Sequence, residues 1–254
     1  MLDWPQLPLL LYILARMSGF VLFNPIFGRN NIPAIFRSGL VMVLAMFVFS
    51  TATGVVQPPD STLELMLRLL LELMLGLLLG MVMNFFFCIP QLAGEVVDTQ
   101  MGMTMNQIYD TASQANMSTT GVVLNVLMTL LFFAANGHHT LLRIILTSEQ
   151  IVPYGQAMLS TAALNAVMQL FVQCIVLAVK LALPILAAEL VGQVGMGILM
   201  KVIPQINVFS INIELKVMIG LGLLFMLIAP LSEYLLQIEV TMLESISRIL
   251  ALSG

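Results

Sequence analysis

Residues Leu164–Met200 read LNAVMQLFVQCIVLAVKLALPILAAELVGQVGMGILM, with Lys180 and Glu189 the only charges in the run. A hydrocarbon core about 30 Å thick is crossed by about 20 helical residues, so the run is too long for one ordinary span. In an apolar surrounding, backbone amides must be satisfied within the segment, and a helix does this where an open strand does not. Pro184 has no N–H and frees the carbonyl of Lys180, so the helix is expected to kink or split there. Lys180 and Glu189 sit nine residues apart. That is half a turn out of phase, so an unkinked helix cannot pair them and each needs another partner.

Outward from this run, further apolar segments cover 7–23, 39–56, 65–89, 121–135 and 213–231. The fold class they imply is all-α, a multi-helix membrane-complex protein of long apolar helical hairpins in one domain over 1–254. The composition agrees: 60% of the 254 residues are hydrophobic and 9% are charged, against about 25% charged in soluble domains. The net charge of −4 is dispersed and no basic cluster occurs, which excludes nucleic acid as a partner class. Cys88 and Cys174 lie far apart in apolar stretches and read as buried thiols, not as a metal pair. Asp3 stands where a cleavable signal carries basic residues, so the N-terminus is expected to be retained.

Charge placement resists a simple topology. Arg29 and Arg37 suggest a cytoplasmic first loop, and an acidic stretch at 57–64 alternates with it. The next loop, Pro90–Thr120, should again be cytoplasmic, yet it holds Glu95, Asp98 and Asp110 and no Lys or Arg. Helices that pack into a protein assembly, and do not each span cleanly, account for this failure. The tail at 232–250 is amphipathic. Leu235, Met242, Leu243, Ile246, Ile249 and Leu250 share one face, opposite Glu233, Gln237, Glu244 and Arg248. Glu239 falls inside the apolar stripe, either snorkelling to water or meeting a partner subunit.

Several segments carry more specific information. Gly76-Leu-Leu-Leu-Gly80 is a small-xxx-small pattern that lets helix backbones approach; with Lys180, Glu189 and Glu239 these glycines are the assembly candidates. Arg68 and Glu72, one turn apart, are expected to neutralise each other. Gln91–Thr120 reads QLAGEVVDTQMGMTMNQIYDTASQANMSTT, a polar, Met-rich stretch between two apolar helices. A loop of that length is either functional or disordered. Its flexible methionines, Met101, Met103 and Met105, suit a segment that lines or plugs a conduit. In Lys201–Lys216, Pro204 ends a helix, and Gln205 and Asn207 supply amide groups for a tight reversal between two apolar helices. His138 and His139 are adjacent and point about 100° apart on a helix, which reads as a polar loop or helix-end pair. No zinc-helix, nucleophile-turn or phosphate-loop pattern occurs. No cofactor is expected and an enzyme is the weakest reading.

Together these strings resemble the FliR family. Pro204-Gln-Ile-Asn-Val-Phe209, followed by Leu215-Lys216, is similar to that family's turn. Ala15-Arg16-Met-Ser-Gly19, Asn24-Pro-Ile-Phe-Gly28, Pro33 and Arg37 resemble its N-terminal pattern. Gly94, Asp98-Thr-Gln-Met-Gly102 and Asp110 resemble its central loop, and Asn136-Gly-His-His139, Ser148 and Pro153 the segment after it. Lys201 departs from the family's usual arginine, and Thr111 and Glu214 from its prolines. The resemblance implies a core subunit of the flagellar type III export gate in the bacterial inner membrane at the flagellar basal body. The subunit is FliP-like joined to FliQ-like, is present in one copy beside FliP and FliQ, and has FlhB and FlhA nearby and exported flagellar proteins as cargo. It implies hairpins stacked largely above the bilayer plane, and a plug over about Met101–Met117 that includes Asn106, Gln107, Tyr109 and Asp110. The alternatives are the homologous subunit of a virulence injectisome, with the same fold and another cargo, and a small-solute transporter, for which intramembrane Lys180 and Glu189 and a broken helix would argue.

Overall fold

The computed structural model describes residues 6–28, 32–52, 59, 61–103, 108–110, 115–202 and 208–253. The fold is all-α, with one minor exception. The helices are α1 (Leu7–Phe23), α2 (Ala34–Thr51), α3 (Thr62–Met101), α4 (Thr119–Ala134), α5 (Gly137–Leu146), α6 (Thr161–Val202), α7 (Val208–Met226) and α8 (Ile228–Leu252). Between α3 and α4 lies a short antiparallel pair, β1 (Ile108–Asp110) and β2 (Ala115–Met117), in register Tyr109 to Asn116. The chain forms two compact units. One comprises 1–86, 136–171 and 239–254, the other 87–135 and 172–238.

Within the described residues each expected apolar run is helical, residues 53–56 of the second lying outside them, but the ends differ for local reasons. α1 tolerates Pro8 because the first turn has no intrahelical acceptor for that N–H. It stops where Asn24, preceding a proline, turns extended. The Asn24 side-chain oxygen then accepts from the N–H groups of Ile26 (2.8 Å) and Phe27 (3.1 Å), which builds the turn of the Asn24–Gly28 string. α2 starts directly after Pro33, so Arg37 lies in its first turn and not in a loop; Arg29 is outside the described residues. α3 and α6 run unbroken through Pro90 and Pro184. Each proline removes one ladder bond, and the neighbouring turns carry the helix across it; the split expected at Pro184 does not occur. The split falls instead at Leu227, where α7 and α8 meet at 63°. Pro230 sits in the first turn of α8, where its missing N–H costs nothing.

Ala34–Thr51, Thr62–Met101 and Thr161–Leu199 are long and apolar enough to cross a membrane; the pairs α4–α5 and α7–α8 each qualify as one bent span.

The first unit is organised around a buried ion pair. Arg16 on α1 meets Glu72 on α3 through both carboxylate oxygens, Nε to Oε2 at 2.6 Å and Nη2 to Oε1 at 3.1 Å. The remaining nitrogen donates to Ser148 Oγ and the Val152 carbonyl, both at 3.0 Å. The Gly155 N–H donates to Glu72 at 2.7 Å, and the guanidinium lies 4.3 Å from the centre of the Tyr154 ring. Burial pushes the Tyr154 phenol above its ordinary range, against the pull of Arg16. Both ionic side chains are almost wholly buried, so the hydrogen bonds that satisfy every edge are what makes the pair tolerable. The expected Arg68–Glu72 pairing is therefore replaced: Arg68 pairs with Glu64, one turn earlier, and Glu72 belongs to Arg16. A sequence reading favours neighbours on one helix. Burial of Glu72 demanded the partner that could be buried with it.

The α1–α3 crossing brings the pair together. A Cβ on Gly76 would collide with the Arg16 carbonyl oxygen, and one on Gly19 with that of Leu73. On Gly80 it would lie 3.0 Å from the Phe20 carbonyl oxygen. Backbone-to-backbone packing at Gly76 and Gly80 serves this internal crossing.

Arg16→Met is expected to destabilise the protein by about 3–5 kcal/mol, because it strands a buried carboxylate. Arg16→Met combined with Glu72→Leu should recover at least half of the loss. Thermal unfolding of the purified variants checks both, and a double variant no more stable than the single would refute the ion-pair account.

Candidate functional site

The Met-rich stretch is shorter than expected because α3 absorbs its first part. Helix continues through 91–101 and ends at Gly102, whose φ of +80° is open to glycine without strain. The N–H of Gly102 bonds to the Thr99 carbonyl at 3.2 Å and that of Met103 to Asp98 at 2.9 Å. This is the paired closure that terminates helices at a left-handed glycine. On the far side, Ser118 caps α4, its hydroxyl accepting from the Gly121 N–H at 3.1 Å. The connection is therefore 102–118.

Its two ends are clamped together within the second unit. Asp98 Oδ2 accepts from the Thr120 N–H at 3.1 Å, a negative charge at the positive end of α4. Asp98 is buried, and its other oxygen has no hydrogen-bond partner among the described residues. A Cβ on Gly94 would collide with the backbone of Gly121, so α3 and α4 touch directly at this point. Met101 is fully buried, its side chain filling the space beside Gly220 on α7. Met117 is buried as well. The arrangement is a loop on a fixed base: two seated methionines, a capped helix start, a glycine contact and a charged hydrogen bond.

Of the residues expected in the loop, Met101 and Met117 are thus anchors, and Met103 is half-buried. Met105, Asn106 and Gln107 lie outside the described residues; Tyr109 and Asp110 belong to β1, their side chains outside the described set. Pro204, Gln205 and Asn207 lie outside the described residues too, between the end of α6 and the start of α7. Phe209 is in the first turn of α7, its side chain not described. Sequence reading missed the clamp residues Ser118 and Gly121, and it named Gly94 and Asp98 only as part of the family pattern. Gly102, a glycine followed by polar residues, was the available signal for a helix end.

The remaining assembly candidates divide by burial. Lys180 is exposed. Glu189 is buried, with Oε1 lacking a hydrogen-bond partner among the described residues, and the opposite charge acting on it is that of Lys216. Glu239 is 4% exposed and does not snorkel; the four polar residues expected opposite the α8 stripe are exposed. His138 and His139 occupy the first turn of α5, as a helix-end pair, with ring centroids 4.2 Å apart.

Long apolar helices with most of their surface uncovered, and a polar loop on a clamped base, define an all-helical protein of the membrane class. Residues 7–240 match the family described as "Bacterial export proteins, family 1". The chain belongs to that family, and so to bacterial protein export. It is 27% identical to the flagellar biosynthetic protein FliR of Bacillus subtilis over 83% of this chain and 82% of the relative. It is 28% identical to FliR of Escherichia coli over 84% and 81%. It is 25% identical to the Yop proteins translocation protein T of Yersinia pestis over 84% of each.

Asp98→Ala should lower amide-exchange protection at Thr120 and Gly121 by about 10- to 100-fold, since a hydrogen bond to a charged group contributes roughly 1.5–3 kcal/mol. Asp98→Asn, which keeps an acceptor, should lose much less. Equal loss in both would show that the carboxylate does not act through this bond.

Proposed function

We propose that the chain is a FliR-type core subunit of the flagellar type III export gate, seated in the bacterial inner membrane at the flagellar basal body. It assembles with FliP and FliQ around a pore for unfolded flagellar proteins, beside FlhB and FlhA. The carrying observation is length. Thr161–Leu199 is apolar over 39 residues, a helix contour of about 58 Å. The hydrocarbon core is about 30 Å thick, and a helix tilted by 40° still spans it in about 39 Å. Only 28% of the most apolar window of this helix is buried inside the chain. Leu164, Met168, Ile175, Val179, Val194 and Ile198 all stand exposed along it. Lipid cannot cover that entire stripe, so other protein chains must cover the remainder.

The clamped loop supports a plug. Seated at both ends, residues 102–118 can obstruct a lumen by many weak dispersion contacts, each about 0.1–0.2 kcal/mol, and yield to an entering chain. The turn at Pro204, Gln205, Asn207 and Phe209 serves as the structural reversal between α6 and α7. An unbroken α6 removes the split helix that argued for a solute transporter. The injectisome reading keeps one specific support, the similarity to the Yersinia protein. Restored motility in a cell lacking its own FliR decides for the flagellar role, and failure there with rescue of an injectisome decides against it.

Replacing 103–116 by a short Gly-Ser linker, with Met101 and Met117 kept, should leave co-purification with FliP and FliQ intact and make cells leak ions. An assembled complex with unchanged membrane permeability defeats the plug. Absence of FliP and FliQ from the purified wild-type protein defeats the gate.

A further inference from the structure

The first turns of α6 carry a polar row on their outer side. Ala163 and Val167 are buried in the first unit. Asn165 and Gln169 each lie two residues further on, about 200° round the helix, so they face away from that unit's core. Thr161 falls on the same row, four residues before Asn165. All three are exposed, and none makes a side-chain hydrogen bond or ion pair among the described residues. Gln173, also exposed, continues the row at the same spacing along the unbroken helix. The row is narrow. Leu164 and Met168 stand beside it, 46% and 65% exposed, and no Asp, Glu, Lys or Arg occurs from 161 to 179.

Neither water nor lipid suits such a face. Water would satisfy the amides but would also wet the apolar residues beside them. Hydrocarbon would cover the apolar residues but leave two donors and an acceptor on each amide without partners. A second helix does both. Its apolar side chains cover Leu164 and Met168, and its hydroxyl or amide side chains bond to the row. The charges further along α6 mark where lipid takes over. Lys180 and Lys201 are both exposed and 21 residues apart, a rise of about 31 Å, against a hydrocarbon core about 30 Å thick. Lysines at the two ends of such a segment reach the interfaces with their ammonium groups. Among the described side chains between them, the exposed ones are apolar or glycine, with the single exception of Gln193. The polar row lies outside that segment.

We propose that the outer face of α6 at 161–173 is the docking surface for an uncharged, apolar helix of a different chain, one that presents Ser, Thr, Asn or Gln side chains to Thr161, Asn165 and Gln169. An amide both donates and accepts, so neutral partners of this kind complete it and no charge is needed. The proposal rests on the gate reading only in requiring a neighbouring chain, and it names the part of α6 which that neighbour covers.

The test places the photoreactive residue p-benzoylphenylalanine in the full chain, in place of Leu164 or of Met168, and irradiates intact cells. Mass spectrometry identifies the joined peptides. Both positions should capture the same helix of another chain, apolar and carrying Ser, Thr, Asn or Gln on the captured side. In a second arm, Asn165→Leu with Gln169→Leu should lower the yield of complex that co-purifies with the chain about tenfold. In a third, Gln169→Cys in a Cys88→Ala, Cys174→Ala chain should resist a membrane-impermeant maleimide. Adducts with lipid alone, with a second copy of this chain, or with a helix lacking such side chains would each overturn the proposal. So would an unchanged yield of complex or ready reaction with the maleimide. The photochemical arm decides even if the Leu variant fails to fold. FliP and FliQ co-purifying while 164 and 168 label only lipid would defeat the docking face and leave the gate standing. Their absence, with capture of another chain's helix of the stated kind, would defeat the gate and uphold the docking face.

Discussion

Apolar surface must be covered, and here it exceeds what one bilayer can cover. A helix that is greasy for 39 residues needs either deep burial in its own chain or neighbours, since lipid serves only about 20 residues of it. The chain does bury charge and polar groups at chosen points, but it leaves long stripes of Leu, Val, Ile and Met outward on α2 and α6. Between helices already in an apolar medium, the hydrophobic effect supplies no drive, and association rests on packing and on polar contacts. The internal contacts of this chain follow that rule. Backbones touch at Gly19, Gly76, Gly94 and Gly121, and the buried charges at Arg16, Glu72 and Asp98 hold specific partners.

The long apolar helices were legible from hydropathy and the tail from its amphipathic spacing, whereas α5 was not read from the sequence. Helix ends were less so, because each depends on one or two residues whose effect is local. Asn24, Ser118 and Gly102 end or begin helices by hydrogen bonds that a window average does not register. Prolines show the same limit from the other side. Pro184 is tolerated within α6, whereas Pro230 sits in the first turn of α8, three residues past the bend at Leu227. The residue type is identical; what differs is its place in the helix, interior for Pro184 and first turn for Pro230.

The charged residues were legible as important but not in their pairings. Glu72 has Arg68 one turn away, yet its partner lies 56 residues earlier. Long-range pairs of this kind are decided by which side chains are buried together, and that follows from the glycine crossing of α1 and α3. At the loop, the methionines marked the connection between α3 and α4. What they could not show was that Met101 and Met117 are buried at its two ends.

The first unit is assembled from three separated pieces of sequence, with the second inserted between them. Its last piece closes the account: the Met158 N–H donates to the Ser253 carbonyl at 3.2 Å, and the Ser160 hydroxyl to that of Leu252 at 2.7 Å. During synthesis, therefore, the segment at 158–160 waits for the end of α8. A polypeptide stopped short of α8 would leave the Met158 N–H and the Ser160 hydroxyl without these acceptors and uncover the apolar side chains that α8 buries in this unit.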